Sequence, residues 1–380
     1  MSRESAGENV LFVAKCAENL LCFGFLASIF GECRGLMLRI ATFNAALEAC
    51  AFCKKSDQAL DPQTLIKALD WPGHPRLYQV ANTIQALDAD ILLLNEFDYI
   101  ADPQRGIRRF IDNYLGKDAY PYYYLAPVNT GVPLSADPSE VHGFGHYQGQ
   151  YGMVLLSRFP VLTEQVRTFQ HFCWAQMPGA RQPQLDGHPY YPPEVWAELR
   201  LSSKSHWDIP LQVGRQRLHV LACHPTPPVF DGPERRNQHR NHDELRFWAD
   251  YLATGRGDYI QDDAGIRGGF RGLSPFVLLG DLNADPERGE GAVGAITQLL
   301  KHEGINSGLL PVSPGGTERG RPAITADWGL RADYVLPSRR GIRVKGGGVF
   351  WPGQHQAQRA LVEGPHSSDH RPVWLDMELI

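Results

Sequence analysis

The sequence predicts an α/β fold, and three observations carry that prediction. Short apolar runs of strand length recur along the chain and stop abruptly at polar residues, as buried strands do. Stretches with apolar residues at helical spacing separate several of these runs. Finally, 380 residues, 43% hydrophobic and 10% aromatic, suffice for a large core. No internal repeat is visible, and prolines and glycines are spread throughout, which favours one body with many connections.

Taken in order, residues 1–36 differ from the rest. A polar start leads to an apolar run, Leu20–Phe30, too short to span a bilayer comfortably. Glu4, Glu8 and Glu18 outweigh Arg3 and Lys15, a poor balance for the positive region of an export signal. The segment is read as a leader or signal, implying export to a periplasm or the cell exterior. The alternative is a cytoplasmic chain that starts near Met37. A single domain is expected over 37–380.

The first strand, Leu38–Phe43, delivers Asn44. Leu77, Val80, Ile84 and Leu87 mark a helix, and the strand Ile91–Asn95 delivers Glu96. Ile107, Phe110, Ile111, Tyr114 and Leu115 mark another helix. Residues 120–150, rich in Tyr, Pro, Gly and His, read as a long surface loop. A strand follows over 150–160. Two more are expected around Trp196–Leu201 and Ser205–Val213, the latter turning at Gly214 into Leu218–Cys223, which delivers His224. A helix is expected over 234–252. The run Phe276–Leu279 reaches Gly280 and delivers Asp281 and Asn283, which point the same way in extended chain. Val293, Ile296, Leu299 and Leu300 mark a helix. Arg331–Leu336 is a strand carrying Asp333, and Ser368-Asp369-His370 precedes the closing strand Val373–Leu379.

A net charge of −5 provides no global basic field, which disfavours nucleic acid as a partner without excluding it. Seven cysteines are an odd number and imply no disulfide framework. Cys50 and Cys53 form a C-x-x-C with no second pair to complete a zinc site, so buried thiols or a local disulfide are expected.

The strand-end residues are Asn44, Glu96, His224, Asp281, Asn283, Asp333, Asp369 and His370. Oxygen donors and two imidazoles without a thiolate suit a hard octahedral ion, Mg²⁺ or alternatively Mn²⁺, and phosphoester hydrolysis is the chemistry such a set serves. Arg236, Asn237 and Arg240, dense in donors just after His224, are candidate clamps for phosphate oxygens, against the ordinary reading of a solvated helix face.

In Thr-Phe-Asn at 42–44, Asn-Glu at 95–96, Gly-Met-Val-Leu-Leu-Ser-Arg-Phe-Pro at 152–160, Gly-Asp-Leu-Asn at 280–283 and Ser-Asp-His at 368–370, the chain resembles the endonuclease/exonuclease/phosphatase superfamily, the deoxyribonuclease I-like fold. The resemblance spans Leu38 to Leu379 and implies a four-layer α/β/β/α sandwich of two mixed sheets with the site at one rim. It implies that Glu96, with Asn44 and Asp369, holds the divalent ion. His370, oriented by Asp333, would face the phosphate, either activating water or stabilising the transition-state oxygens. Asp281 and Asn283 would position water and a phosphate oxygen, and His224 would stand near the leaving group. The expected function is metal-dependent hydrolysis of a phosphomonoester or small phosphodiester. A low-specificity nuclease is the alternative, and an inactive scaffold of the same fold the third reading. A monomer without a transmembrane span is expected.

Overall fold

The computed structural model describes residues 36–52 and 60–380; the expected leader and Cys53 lie outside the described residues. Strand β1 (Met37–Leu47) shows how the layers arise. Successive side chains of a strand face opposite ways. Leu38 and Ile40 therefore enter one apolar cluster, while Ala41, Phe43 and Ala45 enter another.

β2 (Ile91–Phe97) lies parallel to β1. β3 (Tyr122–Tyr124) and β4 (Met153–Ser157) extend that side antiparallel. In the second sheet, β5 (Arg167–Thr168), β6 (His206–Val213) and β7 (Gln216–Cys223) are antiparallel neighbours. β8 (Phe276–Asp281) then runs parallel to β7 and antiparallel to β9 (Asp333–Pro337). β10 (Ile342–Val349) and β11 (Val373–Leu379) return to the first sheet beside β1. The orders are β10-β11-β1-β2-β4-β3 and β9-β8-β7-β6-β5.

One core fills the space between the sheets, with Leu38, Ile40, Leu93 and Leu155 meeting Trp207, Val220, Val277 and Leu279. A second lies between the first sheet and helix α1 (Pro75–Leu87), which presents Leu77, Val80, Ile84 and Leu87. The third lies between the second sheet and α2 (Arg236–Leu252), through Leu245, Phe247 and Trp248. The four-layer α/β/β/α expectation is met. Each sheet contains one parallel pair, and both pairs end at the same rim, where Asn44 Nδ2 donates to Asp281 Oδ2 across the sheets (3.0 Å).

Several elements depart from the sequence reading. The expected strand at Trp196–Leu201 is a short helix, Pro193–Glu198, because Pro193 at its first turn has the fixed φ a helix start needs. The helix expected from Val293 shrinks to Thr297–Leu300, leaving Val293 exposed. Strand β10 went unanticipated, since Gly346, Gly347 and Gly348 erase the apolar alternation. The long 120–150 connection contains β3 and is pinned by bridges Thr130–Gly143 and Pro133–Val141. Among the described residues no helix is long and apolar enough to cross a membrane.

Candidate active site

Strand ends at this rim are bent out of regular geometry. The β1–β2 register shifts between Asn44 and Leu47, and Glu96 takes φ +58, a left-handed conformation costing a non-glycine residue about 1–2 kcal/mol. Asn283 is also left-handed, at φ +51. At Gly280 (φ +151) an added Cβ would lie 2.0 Å from the Cys223 carbonyl oxygen, so only glycine lets β8 pass β7 this closely. Such strain clusters where a fold is committed to a function.

Asp281 is the meeting point. Its backbone N–H donates to Asn95 Oδ1 (3.1 Å), and its Oδ1 accepts from Asn283 N–H (3.1 Å). Its Oδ2 accepts from Asn44 and lies 3.4 Å from His224 Nε2 and 3.6 Å from His370 Nε2. His370 Nδ1 sits 2.9 Å from Asp333 Oδ2, which also accepts from Thr325 Oγ1 (2.7 Å). With Asp333 accepting at Nδ1, Nε2 is the nitrogen turned to the site. Ser368 Oγ donates to the Asn44 carbonyl (2.7 Å) and accepts from His370 N–H (3.0 Å), which ties the C-terminal loop to β1.

Burial opposes charge on His370, but Asp333 and Asp281 outweigh it and raise the imidazole to about 10. Burial raises Glu96 to about 7, against the pull of His370 and a hydrogen bond from Asn44, and raises Asp281 to about 6. His224 is pushed well below its usual value by burial, then by the charges of Lys204 and His370, so it is neutral near pH 7. Asp369 is exposed, and the buried guanidinium of Arg76 feels Glu48, Asp369 and Glu96 together.

The structure therefore brings Asn44, Glu96, His224, Asp281, Asn283, Asp333, Asp369 and His370 to one rim. The expected phosphate clamp is corrected. Arg240 spends Nε on the Leu201 carbonyl (2.8 Å) and Nη2 on those of Arg200 (2.7 Å) and His142, so it braces a loop. Asn237 donates to the Val229 carbonyl (2.7 Å) and, through its N–H, to Asp231 (2.8 Å); Arg236 lies against Glu234 and Tyr190. These contacts cap the helix start and organise residues 225–233.

Sequence reasoning missed Thr325, Glu48, Arg76, Lys204 and Trp328. The last packs edge-on against His370, ring centroids 4.8 Å apart, while half exposed. Only Arg76 carried a signal, a cation directly after the helix-starting Pro75.

Ligand atoms of Asp281, Asp333 and His370 lie within 4.8 Å of one another. Because His370 and Asp333 are already bonded to each other, these three form a hydrogen-bonded charge network rather than a free cation cage. The acids Glu96 and Asp369 with the amide of Asn44 are hard oxygen donors of the type Mg²⁺ takes.

Two mixed sheets sandwiched by helices, with carboxylates and imidazoles gathered at one rim, define an α/β/β/α sandwich with a polar site at one edge. A family model described as Endonuclease/Exonuclease/phosphatase family matches residues 41–370, and the chain belongs to that family. An endonuclease/exonuclease/phosphatase from Beutenbergia cavernae DSM 12333 is similar in structure, with 18% identity, TM-score 0.52, and coverage of 90% of this chain and 72% of that one. The human Nocturnin catalytic domain with bound sulfate gives 13% identity, TM-score 0.48, and coverage of 91% and 96%. A family protein from Leptotrichia buccalis C-1013-b gives 14%, 0.48, and coverage of 90% and 100%. No curated protein matches the chain.

Proposed function

We propose that this chain is a divalent-metal-dependent phosphoesterase acting on a phosphomonoester or small phosphodiester. The observation that carries the reading is the convergence of Asn44, His224 and His370 on one oxygen of Asp281, with His370 held by Asp333. Glu96, Asn44 and Asp369 would hold Mg²⁺. When bound, the ion supplies charge neutralisation and orientation of the phosphate.

The residues divide the remaining work. His370, charged across the neutral range, donates from Nε2 to a phosphoryl oxygen as negative charge grows. That favours transition-state stabilisation over proton abstraction, since an imidazolium has no free lone pair. Asp281, ionised above about pH 6, orients the attacking water and accepts its proton. Asn283 donates Nδ2 to the Pro225 carbonyl (3.2 Å), which fixes its amide beside the loop of His224. Neutral His224 serves as a hydrogen-bond donor near the leaving oxygen, not as a strong acid.

A panel of phosphomonoesters and small phosphodiesters, assayed with Mg²⁺ and with excess chelator, tests the proposal. Turnover that chelator abolishes and that His370→Ala lowers about 10³-fold or more is expected, the scale typical of lost electrostatic stabilisation. Prompt nicking of supercoiled plasmid with no small-substrate turnover would favour the nuclease reading. Inactivity on both would leave the inactive scaffold.

A further inference from the structure

We infer that Lys204 is a ligand of the substrate's phosphoryl group, an assignment resting on the phosphoesterase reading. Lys204 is 5% exposed, and among the described residues no hydrogen bond or ion pair reaches its ammonium. Its stem is buried while Nζ is not enclosed, so an ammonium without a close protein partner is left open to a ligand. Glu244 ties Ser203, the neighbour of Lys204, to Thr226, two residues past His224, which sets the Lys204 loop beside the site, and the Lys204 charge acts on Glu96, Asp281 and His224.

The loop that carries it is braced from every side. Asn129 N–H donates to the Lys204 carbonyl (2.9 Å), and Asn129 Nδ2 donates to the Ser202 carbonyl (2.8 Å). Arg240 holds the carbonyls of Arg200 and Leu201. Gly143 packs so tightly that a Cβ there would lie 2.0 Å from the Ser203 carbonyl oxygen. The buried carboxylate of Glu244 accepts from Ser203 N–H (2.7 Å) with one oxygen and from Thr226 N–H (2.6 Å) with the other, joining the Lys204 loop to the segment just after His224. Preorganisation of this kind suits a fixed cation that meets a developing charge.

The bland alternative makes Lys204 the counter-ion of Glu244, its strongest electrostatic partner. Both Glu244 oxygens, however, are already bonded to backbone amides, and no ion pair closes between the two residues. Phosphate brings the opposite need. Glu96, Asp281 and Asp369 repel a phosphate anion, and beyond the cation, Arg76 and His370, a further fixed positive charge on the phosphate side offsets them. A compact ammonium, a point charge with three donors, matches a non-bridging oxygen.

The probe is inorganic phosphate, titrated calorimetrically into the full chain at saturating Mg²⁺. Lys204→Met is expected to weaken phosphate binding about 10- to 100-fold while Mg²⁺ affinity measured without phosphate stays within about 3-fold, and to raise KM more than it lowers kcat on any active substrate. Lys204→Gln, which keeps a donor but no charge, should show the same loss and covers the case in which the methionine variant does not fold. Phosphate affinity unchanged in either variant, or an equal fall in Mg²⁺ affinity, overturns the assignment. Lys204-dependent phosphate binding without turnover of any phosphoester would refute the phosphoesterase reading and leave the ligand assignment standing.

Discussion

An imidazole that is both buried and charged needs carboxylates on two sides, and His370 has them in Asp333 at Nδ1 and Asp281 near Nε2. Removing Asp333 exposes that dependence. Asp333→Asn should lower the His370 pKa by at least one unit, read by NMR titration of the imidazole, and lower kcat at least tenfold. The proposed role of Glu96 is to hold the cation. Its carboxyl is raised to about 7, chiefly by burial, and a cation binds only the deprotonated form, so protons compete below that value. Mg²⁺ affinity, measured calorimetrically, should be level above about pH 7.5 and fall roughly tenfold per pH unit below 7. Glu96→Ala should weaken Mg²⁺ binding at every pH, whereas His370→Ala should leave it within about threefold. Equal loss in both would mean that the two residues share one role.

The loop between α2 and the strand ends works as one element. Asp231 caps the first turn of α2, Asn241 Nδ2 bonds the carbonyls of Thr226 (2.9 Å) and Leu282 (3.1 Å), and Glu244 joins two further loops. Arg240→Met removes donors from three carbonyls and leaves Glu244 less compensated, so a loss of about 3 kcal/mol in urea unfolding is expected, with Mg²⁺ affinity retained. This element also marks the limit of legibility. The site residues at strand ends were readable because apolar runs stop at them. The donor-rich start of α2 was readable as a cluster but not as a brace, since nothing local distinguishes an arginine facing phosphate from one facing backbone carbonyls brought from Leu201 and His142. Thr325 and Lys204 left no signature for a similar reason: each acts through partners distant in the chain.

At the scale of the molecule, two sheets must pack in one register for the rim to exist, and buried polar groups set the pH range over which they do. His206, 1% exposed, has Nδ1 3.0 Å from Ser202 Oγ and Nε2 3.0 Å from the Glu244 carbonyl oxygen. Burial lowers its pKa from 6.5 to about 4. The unfolded chain therefore binds the extra proton first as pH falls. This contribution is whole above pH 6.5, shrinks from there toward 4, and amounts to at most about 3 kcal/mol. Glu96 and Asp281, raised in the fold, act with the opposite sign, so the test compares His206→Gln with wild type in urea melts across that window; the stability of wild type relative to the variant should rise with pH from 4 to 6.5. Overall architecture was legible because hydrophobic patterning repeats at every buried strand. β10 was not, because its glycines remove the pattern that betrays a strand.

If both sheets build one centre, the cation sits on the Glu96 side and phosphate lies between it and His370. Anomalous scattering from crystals soaked with Mn²⁺ and phosphate locates both directly. A manganese peak in contact with Glu96 and Asn44, with phosphate reaching His370 Nε2, is the expected result. Manganese seated instead between Asp333 and His370, or no peak at this rim at millimolar ion, would contradict it.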